Sequence, residues 1–329
     1  MAEALRVGIV GAGMVARYHV AAWARTAGVR LLGIADPDVV RAMERASLVP
    51  EADVFASFAE MRAALSLDAV DIVAPPQTHA ALLAEAQSAG LHAICQKPLA
   101  PSAREAAALI ASLTGRTRVM VHENYRWRYP YRQLKMALAS GELSPPASFE
   151  FRVESAGLLP DAGGRFPALK RQPFMAWMPR LLVLELLVHH LDTLMYLFGD
   201  IRILSAHLSR RCPAVIGEDR AEIQLTVGGI PGWLIADFCT PASPPLPRDR
   251  LWFAGVDNPL VDGWALSLPS GGRREWEGDE AYQNSYTATT NHFVDALMTG
   301  KPFETPPEVA LRVLKCVEEI YAVAQWKSH

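Results

Sequence analysis

Glu185, His189 and Asp192 sit at spacings i, i+4 and i+7 in the run LELLVHHLDTLMYLFGD. On an α-helix that spacing projects all three from one face, while Leu182, Leu186, Leu187, Leu191 and Leu194 cover much of the remainder. A helix otherwise so apolar is a core element, and burying two carboxyl groups and an imidazole on it is costly unless each finds a partner. Two readings fit: a satisfied polar cluster that fixes the helix, and a site that moves protons. The cost of burial favours the second. Metal ligation fits less well, because one helix face with no further ligand in view does not complete a tetrahedral set. Lys97 is the other candidate for proton chemistry. It stands between the apolar run His92 to Cys95 and Pro98, and reads either as a solvated lysine or as an ammonium reaching into a cleft at a strand end.

A second pattern handles phosphate rather than protons. In RVGIVGAGMVARYHVAAW an apolar run, Val7 to Val10, breaks into Gly11-Ala12-Gly13 before a helix-forming segment. Gly11 permits the sharp turn, Gly13 leaves room for a pyrophosphate, and Ala16 lets the helix pack closely on the strand. Amides at the helix start, around Met14 and Val15, then face the phosphates. The run Val29 to Ala35 ends at Asp36, where a dinucleotide site places the carboxylate that binds ribose hydroxyls. That carboxylate repels a 2'-phosphate, and Pro37 and Asp38 follow it, so NAD is the expected cofactor; Arg41, one helical turn on, keeps NADP as the alternative.

These residues need a frame. Strands are predicted near Val7 to Val10, Val29 to Ala35, Ala52 to Ala56, Ala69 to Ala74, His92 to Cys95 and Thr117 to Val121, alternating with helices near Asp38 to Ser47, Phe58 to Leu65, Thr78 to Ala89 and Ser102 to Leu113. That alternation predicts an α/β Rossmann domain with a doubly wound parallel sheet over residues 1–122, its ligands at the carboxyl ends of the strands. Pro75 to His79 and Gln96-Lys97-Pro98 fall at such ends. Over 123–329 the grammar changes to an α+β domain with a large open, mainly antiparallel sheet. It comprises a helix from Tyr131 to Ser140, a strand from Ser148 to Glu154, a Gly/Pro-rich loop from Gly157 to Pro179, and one helix from Arg180 to Phe198. Strand-like runs follow as far as about Trp276, then helices around Thr287 to Thr299 and Pro307 to Gln325.

The chain has 329 residues, 50% of them hydrophobic, enough for two cored domains. A net charge of -3 gives no basic field for nucleic acid. Leu181 to Phe198 is too interrupted by Glu185, His189, His190 and Asp192 to read as a membrane span. Cys95, Cys212, Cys239 and Cys316 are scattered and read as reduced core thiols. The start MAEALRVGIV shows no basic n-region or cleavage site, and the expected location is cytoplasmic. Between Asp161 and Arg180 a local excess of cations (Arg165, Lys170, Arg171, Arg180) reads as a solvated loop or as a grip on an anionic substrate group, and Phe174 and Trp177 read equally as core packing or as walls for a ring.

Several of these stretches together resemble the Gfo/Idh/MocA family of nicotinamide-dependent oxidoreductases, which includes glucose-fructose oxidoreductase and inositol dehydrogenase. GAGMVARYH is similar to the family's opening loop, VDIVAPPQTHA to its fourth strand and loop, QKPLA to its Glu-Lys-Pro signature, NYRWRYP to the entry into the second domain, and LELLVHHLDTLMYLFGD to its substrate helix. The resemblance implies that Lys97 and His189 are the catalytic pair, with Glu185 where the family usually has Asp. It implies that Thr78, His79 and Gln96 contact the cofactor, that Asn124 and Arg126 line the cofactor and substrate cleft, and that Lys97, Glu185 and His189 face the substrate; Pro75 falls at the same strand end as Thr78 and is read with the cofactor, and Trp177 is the loop's candidate on the substrate side. Gln96 departs from the family's Glu and removes a charge beside Lys97, which moves the lysine toward its neutral form; Leu187 replaces a frequent Gly. The implied activity is hydride transfer between NAD(P) and a secondary alcohol or ketone of a sugar, cyclitol or related polyol, with Lys97 as general acid/base assisted by His189 and no metal. A dihydrodiol dehydrogenase and a non-catalytic NAD-binding sensor are the alternatives. Relatives of this kind associate through the second-domain sheet, so a homodimer or homotetramer is expected.

Overall fold

The computed structural model describes residues 4–269 and 271–327. By compactness the chain forms two units, one taking the chain up to Arg128 together with Asp279–Arg312, the other taking Tyr129–Gly278 together with residues from Val313 on. The chain therefore changes unit after Arg128, after Gly278 and after Arg312, where the sequence reading has a single break at 122/123.

In the first unit, β1 (Leu5–Val10), β2 (Val29–Ala35), β3 (Asp53–Phe55), β4 (Ala69–Ile72), β5 (His92–Gln96) and β6 (Val119–His122) form a sheet of order β3-β2-β1-β4-β5-β6 in which every pair is parallel. Helices α1 (Ala16–Arg25), α2 (Val39–Ala46), α3 (Phe58–Ala64), α4 (His79–Ser88) and α5 (Ala103–Ser112) connect them. The apolar runs become strands because both faces are covered: Val7, Ile9, Ile34, Val70, Ile72 and Ile94 are fully buried. Side-chain caps start three of these helices. Asp38 accepts the Arg41 amide at α2, Ser57 the Glu60 amide at α3, and Ser102 the Glu105 amide at α5. The strand order reverses on either side of β1, which opens a crevice at its carboxyl end. The returning segment closes the far edge: the Val121 amide donates to the Thr305 carbonyl at 2.8 Å, and the Thr305 hydroxyl to the Val121 carbonyl at 2.7 Å.

The second unit holds α6 (Tyr129–Ser140) and the strands β7 (Phe149–Glu154), β8 (Ile201–Ser209), β9 (Arg220–Val227), β10 (Ile230–Asp237), β11 (Arg248–Phe253), β12 (Val261–Asp262), β13 (Ala265–Ser267) and β14 (Arg273–Glu275). Their order is β14-β13-β12-β11-β7-β10-β9-β8, antiparallel except where β7 lies parallel to β10. A two-residue turn at Gly228-Gly229, both at positive φ, joins β9 to β10. Along β7 and β9 buried and half-buried residues alternate, as one covered face requires.

Three predicted elements change and one strand is added. The Gly157 to Pro179 loop contains a short helix α7 (Pro167–Arg171) and a 3-10 turn, Pro173–Trp177. The helix predicted over Arg180 to Phe198 is π-helical over Leu182–Leu187 and α-helical only over α8 (Val188–Phe198). The helix expected from Thr287 begins nine residues earlier, at Gly278–Thr299, with Asp279 and Glu280 in the first turn where a helix favours acids. The strand Arg273–Glu275 was not expected; its three residues are exposed and carry no apolar signal. No helix among the described residues is long and apolar enough to cross a membrane, and all four cysteines are free and buried.

Candidate active site

At the carboxyl end of β1 the chain turns at Gly11, with φ at 103° and its amide donating to the Ala35 carbonyl at 2.8 Å. A Cβ there would lie 2.2 Å from the Val73 carbonyl oxygen, so only glycine lets β1 and the turn after β4 approach this closely. Gly13 is different: a Cβ would meet nothing within 4 Å, which leaves open space beside the turn. Among the described residues no carbonyl or carboxylate accepts the amides of Gly13, Met14 and Val15, which precede α1. Open space and three unused donors at a helix start are what a diphosphate needs. Asp36, at the end of β2, accepts the Ala12 amide at 2.7 Å on one oxygen and the Asp38 amide at 2.8 Å on the other. It ties the glycine turn to β2 and keeps lone pairs for ribose hydroxyls. These residues fit a dinucleotide, whose nicotinamide supplies hydride chemistry when bound.

Two further strand ends carry the remaining first-unit candidates. After β4, Pro75 and Thr78 are exposed, with the Thr78 hydroxyl bonded to the Pro75 carbonyl at 2.8 Å. His79 does not line this edge. It is wholly buried, with Nε2 2.9 Å from the Ala74 carbonyl and Nδ1 3.2 Å from that of Leu99, so either tautomer donates to one of them. Burial holds its pKa down, and the ring joins the loop after β4 to the loop after Lys97.

Gln96 ends β5, and both halves of its amide are used. Oε1 accepts the Lys97 amide at 2.7 Å, so the NH2 faces His19 Nε2 at 2.9 Å. His19 then carries its proton on Nδ1 and donates it to Asp71 at 2.7 Å, and the Trp23 indole donates to the same Asp71 oxygen at 2.7 Å. A glutamine at 96 is therefore matched to a buried His19–Asp71 pair under the sheet edge. Lys97 itself is half-buried, directly after the strand.

The turn after β6 is more enclosed than its sequence implied. Asn124 is buried and donates to the Ser285 hydroxyl at 2.9 Å; Arg126 is buried and donates to the Glu304 carbonyl at 2.8 Å. Between them and β6 lies Glu123, 4% exposed, accepting the Tyr125 amide at 3.1 Å. Burial pushes its carboxyl up to about 7, against the pull of the Tyr125 amide and of the positive charges of Lys97, Arg126 and Arg128. Glu123 was not among the residues singled out from sequence, although it directly follows a predicted strand, where ligands gather.

Within the second unit Glu185, His189 and Asp192 lie on one continuous helical run. Glu185 falls in the π-helical part, where bonds close i→i+5 and turns are wider, so the i, i+4 relation from Glu185 to His189 is not that of a regular α-helix. The outcome is uneven burial: His189 and Asp192 are buried, while Glu185 and Leu186 are only half-buried, contrary to the expectation of three buried groups. A second carboxylate missed from sequence anchors the start of this run. Buried Glu218 accepts the Leu181 amide at 3.0 Å, the Val183 amide at 3.0 Å and the Tyr321 hydroxyl. In the preceding segment Arg165 pairs with Asp161 at 3.4 Å and the Arg180 guanidinium lies 4.9 Å from the centre of the Tyr321 ring. Trp177 is 76% exposed.

Residues 5–125 match the family described as an oxidoreductase family with an NAD-binding Rossmann fold, Gfo/Idh/MocA. The chain is 28% identical to a D-apiose dehydrogenase of Paraburkholderia graminis over 96% of this chain and 87% of that protein. It is 28% identical to an inositol 2-dehydrogenase of Acidiphilium cryptum over 69% of this chain and 65% of that protein. An oxidoreductase from Agrobacterium radiobacter, solved in complex with NAD+, L-tartaric acid and magnesium, superposes with a TM-score of 0.86 at 26% identity, covering 98% of this chain and 96% of that one. Over residues 5–125 the chain therefore carries the NAD-binding Rossmann fold of the Gfo/Idh/MocA oxidoreductases, and its likeness to a protein named as a dehydrogenase runs through both units.

Proposed function

We propose that this enzyme oxidises a secondary alcohol of a sugar, cyclitol or related polyol with NAD, and reduces the corresponding ketone in reverse. In this reading Lys97 takes the hydroxyl proton in oxidation and returns it in reduction, while His189 hydrogen-bonds the same oxygen and Glu185 orients the imidazole. The observation that carries it is the place of Lys97: the first residue past β5, its backbone fixed by the Gln96 side chain, on the sheet edge that also carries the glycine turn and Asp36. The relatives named as apiose and inositol dehydrogenases support a polyhydroxylated substrate. NAD is preferred over NADP because Asp36 presents a carboxylate at the ribose position and Arg41, the cation that could bind a 2'-phosphate, pairs with Asp38 at 3.0 Å.

The test is a panel of pentoses, inositols, other polyols and dihydrodiols with NAD+ at alkaline pH, with Lys97→Met beside the native enzyme. The expected result is turnover of a polyol by the native protein, and none by Lys97→Met while NADH fluorescence titration gives the same affinity. Turnover by the variant would remove the lysine from its role. NADH binding with no turnover anywhere on the panel would point to a sensor. We further propose assembly as a homodimer or homotetramer through the second-unit sheet. Trp233 projects from β10 opposite its buried Leu234, and the register sets it beside Glu150 with half-buried Trp252 on the other side. Sedimentation of the native chain against Trp233→Lys should show the native protein as the larger species.

A further inference from the structure

The carboxylate that the resembled family carries beside its lysine is absent at position 96, where the amide of Gln96 is committed to His19 and to the Lys97 backbone. The neighbouring strand brings another. Gln96 of β5 and His122 of β6 are the last register pair of these two parallel strands, so Lys97 and Glu123 are each the next residue, leaving the sheet side by side on backbones about 5 Å apart. Glu123 is buried, its carboxylate held by the Tyr125 amide, and the positive charge of Lys97 acts on it. Other first-unit groups that act on it or feel its charge include Arg126 and Arg128 in the turn after β6, and Tyr282 on the helix Gly278–Thr299, whose own hydroxyl is pushed up by burial. Arg128 is held over the Tyr125 ring at 3.3 Å and Arg126 by the Glu304 carbonyl, so both have fixed positions of their own. Lys97 is the cation that the proposed chemistry obliges to gain and lose a proton.

We propose that Glu123 is the proton acceptor behind Lys97, supplying from β6 the carboxylate that β5 lacks. The inference rests on the reading of Lys97 as the acid/base. In alcohol oxidation the substrate O–H breaks and its proton forms an N–H bond on Lys97; a nicotinamide held by the glycine turn would take the hydride from the same carbon. That N–H then breaks, an O–H forms on Glu123, and the protonated carboxyl releases its proton to water; reduction runs the same transfers backward. Glu123 acts through Lys97 and touches no substrate, so it is a positioning and proton-holding residue. Its carboxyl, poised at about 7, holds both protonation states near neutral pH, and as acceptor it works only when ionised.

The test compares native enzyme, Glu123→Gln, Glu123→Asp and Lys97→Met with bound cofactor. With the best polyol of the panel, the native oxidation kcat is expected to fall as pH drops through about 7. Glu123→Gln should lose that inflection and at least tenfold in kcat with NADH affinity unchanged, and Glu123→Asp should restore an inflection. A second readout needs no substrate: the carboxyl stretch of Glu123, identified by its loss in Glu123→Gln, is titrated in native protein and in Lys97→Met, where removing a cation should move its midpoint upward. An unmoved midpoint, or a Glu123→Gln enzyme with the native rate and inflection beside an inactive Lys97→Met, overturns this inference alone. Turnover by Lys97→Met overturns the parent reading and this one with it.

Discussion

One oxygen of Asp36 receives the Ala12 amide and the other the Asp38 amide, so this carboxylate shapes the glycine turn as well as the ribose contact proposed for it. Removing it should act on both: for Asp36→Ser, NADH affinity measured by fluorescence is expected to fall about ten- to hundredfold, the worth of a lost charged hydrogen bond, and the preference over NADPH to narrow. Glu123 makes a different prediction. In the unfolded chain its carboxyl ionises near the ordinary 4.5, in the folded one at about 7, so between those values the folded state keeps a proton the unfolded state has released. Stability therefore falls as pH rises through that window, by on the order of 3 kcal/mol once above it. Glu123→Gln is expected to raise the melting temperature by a few degrees at pH 8 and hardly at all at pH 4.5, while losing rate. That the glycine turn, Asp36 and Lys97 stand at the ends of strands could be read from sequence, because each follows an apolar run within a few residues. Glu123 was not singled out, because what makes it special is a register between strands 26 residues apart, Gln96 opposite His122. His79 misled for the converse reason: a histidine in a loop at a strand end looks available, and only packing shows both ring nitrogens turned to backbone carbonyls.

At the scale of elements, the apolar runs of the first unit settled into strands within a residue or two of their predicted bounds, and β2 matched them, because buried parallel strands write themselves as continuous hydrophobic segments. The run through Glu185 did not become a single α-helix. Its leucines serve an α or a wider turn equally, and the choice goes with Glu218, which holds the Leu181 and Val183 amides from 35 or more residues away. Glu218→Ala would leave two amides and the Tyr321 hydroxyl without their acceptor. The expected outcome is a melting temperature lower by several degrees and a reduced kcat, with NADH affinity unchanged because the nucleotide turn belongs to the other unit. Calorimetry with NADH titration checks both halves.

For the whole molecule, the class of each unit could be read from the alternation of runs, but the path between them could not. Nothing in the local pattern of Asp279 to Arg312 says that it belongs with the first 128 residues, since the bond that shows it, Thr305 to Val121, joins residues 184 apart. That pairing has a consequence during synthesis. While the ribosome makes those intervening residues, roughly ten to forty seconds at common elongation rates, the outer rim of β6 is a bare strand with open amides and carbonyls. A nascent chain halted at Arg128 should self-associate or recruit a chaperone, and one extended to Arg312 should not; crosslinking of arrested chains would show the difference. The nucleotide fold, whose strands are all made by His122, must wait for a segment made more than 150 residues later.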